Sequence, residues 1–134
     1  MTETQTTQTE QVARRYFEAW TTRDSETAAS LLAEDFVFKG GGMAVEGREA
    51  FLDTRVVPAD ADVTLVAEAY QGGIGFQMYD IARGAQSVRI VELLTIRDGV
   101  IVASTFQTDT AAYTAFMTPG TAMNYNDEVE DQRW

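Results

Sequence analysis

From Gly73 to Asp109 the chain reads as a meander of three long antiparallel strands, and the rest of the chain is organised around it. Gly84-Ala85-Gln86 marks the first reversal and Arg97-Asp98-Gly99 the second, because glycine takes a positive φ without strain. Strand side chains alternate, so Val88, Ile90, Glu92, Leu94 and Ile96 share one face of the middle strand. A carboxylic acid inside an otherwise aliphatic face is expensive to bury ionised and unpaired. Glu92 must therefore be paired, be neutral, or face a wet cavity.

A short turn at Gly84–Gln86 would set Ala82 opposite Val88, Asp80 opposite Ile90 and Met78 opposite Glu92. Phe76, Met78 and Asp80 would then share the face of Glu92, with Asp80 its diagonal cross-strand neighbour. Two carboxyl groups in one apolar concavity do not ionise together easily, which is how a protein obtains an acid and a base from one residue type. The plainer reading is a solvated Asp80 at a frayed strand end and a Glu92 paired with an arginine.

The chain has 134 residues and 45% hydrophobic content, enough for one domain over 1–134 with an ordinary core. It contains no cysteine, and so no disulfide framework and no thiolate chemistry. It contains no histidine either, which removes the usual general base, the Ser-His-Asp relay and the commonest zinc ligand. No cofactor or metal is expected, and acid–base work falls to Asp, Glu, Tyr or Lys39. A formal charge of −11 argues against nucleic acid and anionic membranes as partners. No apolar run is long enough to span a membrane, and the polar start lacks the marks of a secretory signal, so a cytoplasmic location is expected.

Residues 1–8 are rich in Thr and Gln and are expected to fray. From about Thr9 to Thr22, Val12, Ala13, Tyr16, Phe17 and Trp20 repeat at helical spacing. Tyr16 and Trp20 either pack in the core or line a pocket. Asp24 or Ser25 caps a second helix reaching Ala33, and Asp35–Lys39 reads as a short strand with Lys39 facing solvent. Gly40-Gly41-Gly42 reads as a flexible rim bearing Met43. A third helix starts at Gly47 and ends before Pro58, and Val63–Tyr70 is strand-like. Asp109 caps a last short helix, and an acidic tail follows over 118–134, leaving about 9–117 as the folded core. The last strand has two possible facings. A two-residue turn puts Ala103, Thr105 and Gln107 inside, whereas a three-residue turn with a bulge puts Val102, Ser104 and Phe106 there.

The order implies an α+β fold, a long curved antiparallel sheet wrapped around helices. With EDF at 34–36, VEGREAF at 45–51 and TIRDGVIV at 95–102, it resembles the nuclear transport factor 2-like superfamily, SnoaL-like polyketide cyclases in particular. The resemblance implies a half-barrel cone with an internal apolar pocket, and a homodimer through the outer sheet face. It also implies that Tyr16 matches the oxyanion-donating tyrosine of steroid isomerases. Their aspartate base corresponds to Gly40 here, and the last-strand aspartate of related hydrolases and cyclases falls near Thr105–Phe106. The fold carries unrelated functions, so chemistry must be argued from the site.

The leading expectation is a small-molecule enzyme of cyclase or isomerase type. One carboxylate of Asp80 and Glu92 would be its general base, and Tyr16 would stabilise an enolate oxygen. Trp20, Phe36, Phe38, Met43, Phe51, Phe76 and Met78 would line the binding site for an apolar, possibly polyketide-derived, carbonyl substrate. The alternatives are a non-catalytic ligand-binding or interaction module, or a carboxylate-dependent hydrolase or dehydratase.

Overall fold

The computed structural model describes residues 3–40, 42–54 and 60–117. Helix α1 (Glu3–Thr21) begins well before the expected start. Its polar first half is held by tertiary bonds: Thr9 Oγ1 donates to the Gly72 carbonyl at 2.6 Å, and the Gly72 N–H donates to Thr6 Oγ1 at 3.0 Å. Those contacts override weak local propensity. The apolar stripe buries Ala13, Tyr16, Ala19 and Trp20.

The helix closes with Arg23 in the left-handed region at φ 63°. Arg23 N–H donates to the Trp20 carbonyl at 3.3 Å and Asp24 N–H to the Ala19 carbonyl at 2.8 Å, the paired bonds of a Schellman end. Asp24 then caps α2 (Ser25–Ser30) by accepting from the Thr27 N–H at 3.1 Å. Helix α2 stops short of Ala33 because β1 (Leu32–Gly40) has already begun.

The remaining elements are β2 (Met43–Glu46), α3 (Arg48–Thr54), β3 (Asp62–Gln71), β4 (Ile74–Arg83), β5 (Gln86–Arg97), β6 (Val100–Thr108) and α4 (Thr110–Met117). Met43 therefore sits in a short strand paired with β1, not in a loose rim. The end of the third helix before Pro58 and the acidic tail lie outside the described residues. The strands form one curved, unclosed sheet in the order β2-β1-β6-β5-β4-β3. Every pairing is antiparallel except β1 with β6, which run parallel.

The concave face receives α1 and the buried side chains of the long strands. One glycine governs how closely the layers meet. A Cβ on Gly75 would lie 3.1 Å from the Tyr70 ring and 3.6 Å from Ala13 Cβ, so its absence lets Tyr70 lie across β4 beneath α1.

Two local events set which side chains face inward. The β4–β5 turn contains two residues, Gly84 and Ala85, with Arg83 paired to Gln86. This moves the register by one residue from the expected one and turns β4 over. Ile81 lies opposite Val88, Tyr79 opposite Ile90, and Gln77 opposite Glu92. At the β5–β6 turn, Asp98 and Gly99 both take positive φ (54° and 82°), as the tightest hairpin turn requires. A bulge at Val102 then shifts the ladder from Ile96↔Ile101 to Thr95↔Ala103. The extra residue brings Ser104 and Phe106 to the concave face after a two-residue turn.

Candidate functional site

Glu92 stands at the centre of the concave face, 1% exposed. Its carboxyl group is held by two hydroxyls from the flanking strands. Tyr79 Oη on β4 donates to Oε1 at 2.9 Å, and Ser104 Oγ on β6 donates to Oε2 at 2.6 Å. Among the described residues no lysine or arginine forms an ion pair with it. Paired residues of antiparallel strands project to the same side, so Phe106, the partner of Glu92 on β6, flanks it there.

Two aromatic blocks meet at this carboxyl. On one side Tyr79 packs against Trp20 and Phe17 of α1, with ring centroids at 5.2 and 5.6 Å. On the other side Phe106 joins Phe38 at 5.5 Å and Tyr113 of α4 at 5.4 Å. Phe51 of α3 completes that block, 5.0 Å from Phe38 and 4.9 Å from Phe36. Tyr16, Trp20, Phe36, Phe38 and Phe51 are all buried, and Met43 is half-buried beside Gly40.

Three expected members of the site lie on the other face. Asp80 points to the convex side, where Arg89 grips it at 2.8 and 3.0 Å through two parallel bonds. That guanidinium holds the Asp80 carboxyl below its ordinary range. Asp80 is thus an ion-pair residue and does not share a cavity with Glu92. Phe76 and Met78 follow it outward, opposite Leu93 and Val91. The cause in each case is the two-residue turn.

The positions they vacate on the concave face belong to Gln77 and Tyr79. Glu68, Gln77 and Glu92 form one cross-strand row over β3, β4 and β5. Gln77 Nε2 donates to Tyr70 Oη at 2.9 Å, and Tyr70 Oη donates to Glu68 Oε1 at 2.9 Å. Arg14 of α1 clamps Glu68 at 2.9 and 3.1 Å and reaches Glu10 at 2.7 Å. The Arg14 bonds, helped by Tyr70, keep the Glu68 carboxyl low despite partial burial. Burial pushes the Tyr70 phenol up to about 12, so it remains a neutral donor. A chain of hydrogen bonds therefore runs from the surface at Arg14 through Glu68 and Tyr70 to Gln77, the cross-strand neighbour of Glu92.

Among the described residues no group of three or more acidic side chains is arranged to hold a metal ion. None of their helices is long and apolar enough to cross a membrane.

Comparison with known proteins gives a consistent picture. The profile of the SnoaL-like domain family matches residues 13–104. No curated protein matches the chain. A solved structure from Kribbella flavida, assigned as a ketosteroid isomerase, is 26% identical with a TM-score of 0.73, covering 78% of this chain and 79% of that one. A protein from a Jannaschia species assigned as a SnoaL-like polyketide cyclase is 20% identical, with a TM-score of 0.72 and coverage of 89% and 98%. An epoxide hydrolase of the LEH-like type from Mycobacterium tuberculosis is 17% identical, with a TM-score of 0.65 and coverage of 80% and 86%. At these identities the last two establish the shared fold alone.

Proposed function

The chain belongs to the SnoaL-like domain family, and from that premise we propose that it is a small-molecule enzyme of isomerase or cyclase type acting on an apolar carbonyl substrate. The observation that carries this reading is Glu92, a fully buried carboxyl group among aromatic rings, held by two neutral hydroxyls and by no cation among the described residues. Glu92 takes a proton from the carbon α to the carbonyl, leaving an enolate and a carboxylic acid. Returning that proton at a different carbon completes an isomerisation. Attack of the enolate carbon on a second carbonyl forms the new C–C bond and an alkoxide, and return of the proton from Glu92 to that alkoxide completes a cyclisation. Tyr79 and Ser104 orient the carboxyl group, and Tyr16, buried on α1, serves as donor to the enolate oxygen. A positioned base of this kind contributes about 10²–10⁴-fold.

Proton exchange tests the half-reaction without knowledge of the natural substrate. Wild-type protein should speed deuterium uptake at the α-carbon of α-tetralone, followed by NMR in heavy water. Glu92→Gln should lose that acceleration and melt close to the wild type, since an amide still accepts from one hydroxyl. Absence of exchange in the wild type, together with a loss of about 1–3 kcal/mol in Glu92→Gln, would mark the carboxyl as a structural node.

A second reading has its own support. Both oxygens of Glu92 already accept a hydrogen bond, as expected of a residue that stabilises a ligand-binding frame. Under that reading the chain binds a small apolar ligand without turning it over.

We also propose that the chain works as a homodimer through the convex sheet face. Phe76 and Met78 join Val91 and Leu93 there, making the patch larger than β5 alone would give. Leu93 is 42% exposed and Ile74 41%, an apolar surface that favours cover. The Asp80–Arg89 pair lies at its edge.

A further inference from the structure

Gln77 is wholly buried, and only half of its amide is used. Its Nε2 donates to Tyr70, while its Oε1 is buried and accepts no hydrogen bond. A buried carbonyl left this way is costly, and native interiors rarely tolerate it without a purpose.

The bonding around Gln77 also fixes which end of the amide is left over. Tyr70 has one proton, and it is committed to Glu68 at 2.9 Å. Glu68 is in turn committed to Arg14 through two bonds. Turning the amide over would set its oxygen against the lone pairs of Tyr70 or break the bond to Glu68. The acceptor is therefore the end that stays unpaired. It belongs to the residue directly opposite Glu92 on the concave face.

We propose that Gln77 is a specificity residue, whose Oε1 accepts a hydrogen bond from a hydroxyl or N–H group of the ligand lying against Glu92. The ligand class is then an apolar ring system carrying a donor, such as a phenol, enol or alcohol. An ether or bare hydrocarbon of the same shape leaves the carbonyl unpaired and binds less well. In placing the ligand beside Glu92 this rests on the proposed function, but it holds equally for an enzyme and for a binding module.

Binding of β-naphthol, β-methoxynaphthalene and naphthalene, followed by amide-resolved NMR titration, tests it. Wild-type protein should bind the naphthol about ten-fold or more tightly than either analogue, the worth of one hydrogen bond to a buried acceptor. Gln77→Leu should bring the three affinities together. Tyr70→Phe, which frees the amide to turn and keeps the ring, should reduce the preference and serves if Gln77→Leu does not fold. Glu92→Gln should retain the preference even where it abolishes proton exchange, so the two proposals fail separately. Equal binding of all three probes by the wild type overturns the assignment. So does a preference that survives Gln77→Leu, follows Glu92 instead, or perturbs amides away from the concave face.

Discussion

Replacing Tyr79 by Phe removes a single oxygen and leaves the ring in place. The ring contacts to Trp20 and Phe17, at 5.2 and 5.6 Å, survive the change. What disappears is the 2.9 Å bond to Glu92 Oε1, between side chains 2% and 1% exposed. A buried acceptor deprived of its partner costs about 1–3 kcal/mol. At urea slopes of about 1–3 kcal/mol/M, the midpoint should fall by roughly 1 M. In a Glu92→Gln background the same substitution should cost less, because the amide can reorient and meet Ser104 with either end. The difference between the two costs is a coupling energy of about 1 kcal/mol or more. A Tyr79→Phe protein within about 0.5 kcal/mol of wild type would refute the reasoning. An equal cost in both backgrounds would refute it too, since the phenol would then not act through the carboxyl group.

Two further outcomes follow from the geometry. Tyr70 holds its proton to about 12 when folded, against about 10 in an unfolded chain, so its contribution to stability is complete below pH ~10 and drains away as pH rises towards 12. Urea midpoints measured over that window should decline more steeply in wild type than in Tyr70→Phe, by up to about 1.4 kcal/mol per pH unit, and identical slopes would contradict it. Leu93→Glu, placed in the middle of the convex patch, should convert a dimer to a monomer in light scattering at micromolar protein with little change in the fold; a monomeric wild type would remove the proposed interface.

The period-two runs after residue 62 and the apolar stripe of α1 were enough to read an α+β fold with a curved sheet, and Glu92 drew notice because it interrupts an aliphatic face. The company kept by Glu92 was not readable in the same way. Strand β4 alternates ambiguously: Phe76 and Met78 are apolar on one face, Tyr79 and Ile81 on the other. A turn shorter by one residue decides between them. One signal could have settled it, the opposite charges of Asp80 and Arg89, which pair across the strands only in the observed register. Ser104 depended on a bulge whose position no local propensity announces. The early start of α1 depended on threonine hydroxyls meeting Gly72, a contact between residues more than sixty apart.

The parallel ladder between β1 and β6 also has a temporal consequence. Leu32 pairs with Ile101, so β1 and the β2 hairpin it carries cannot join the sheet until the penultimate element of the described chain has been made. Loops of that length are slow to close, and parallel closure adds to the delay. Ser104, one of the two hydroxyls that hold Glu92, arrives on that same strand. On a ribosome, Tyr79, Glu92 and Ser104 would emerge close together and late, so the centre of the concave face would form as one local hairpin unit before β1 docks beside it.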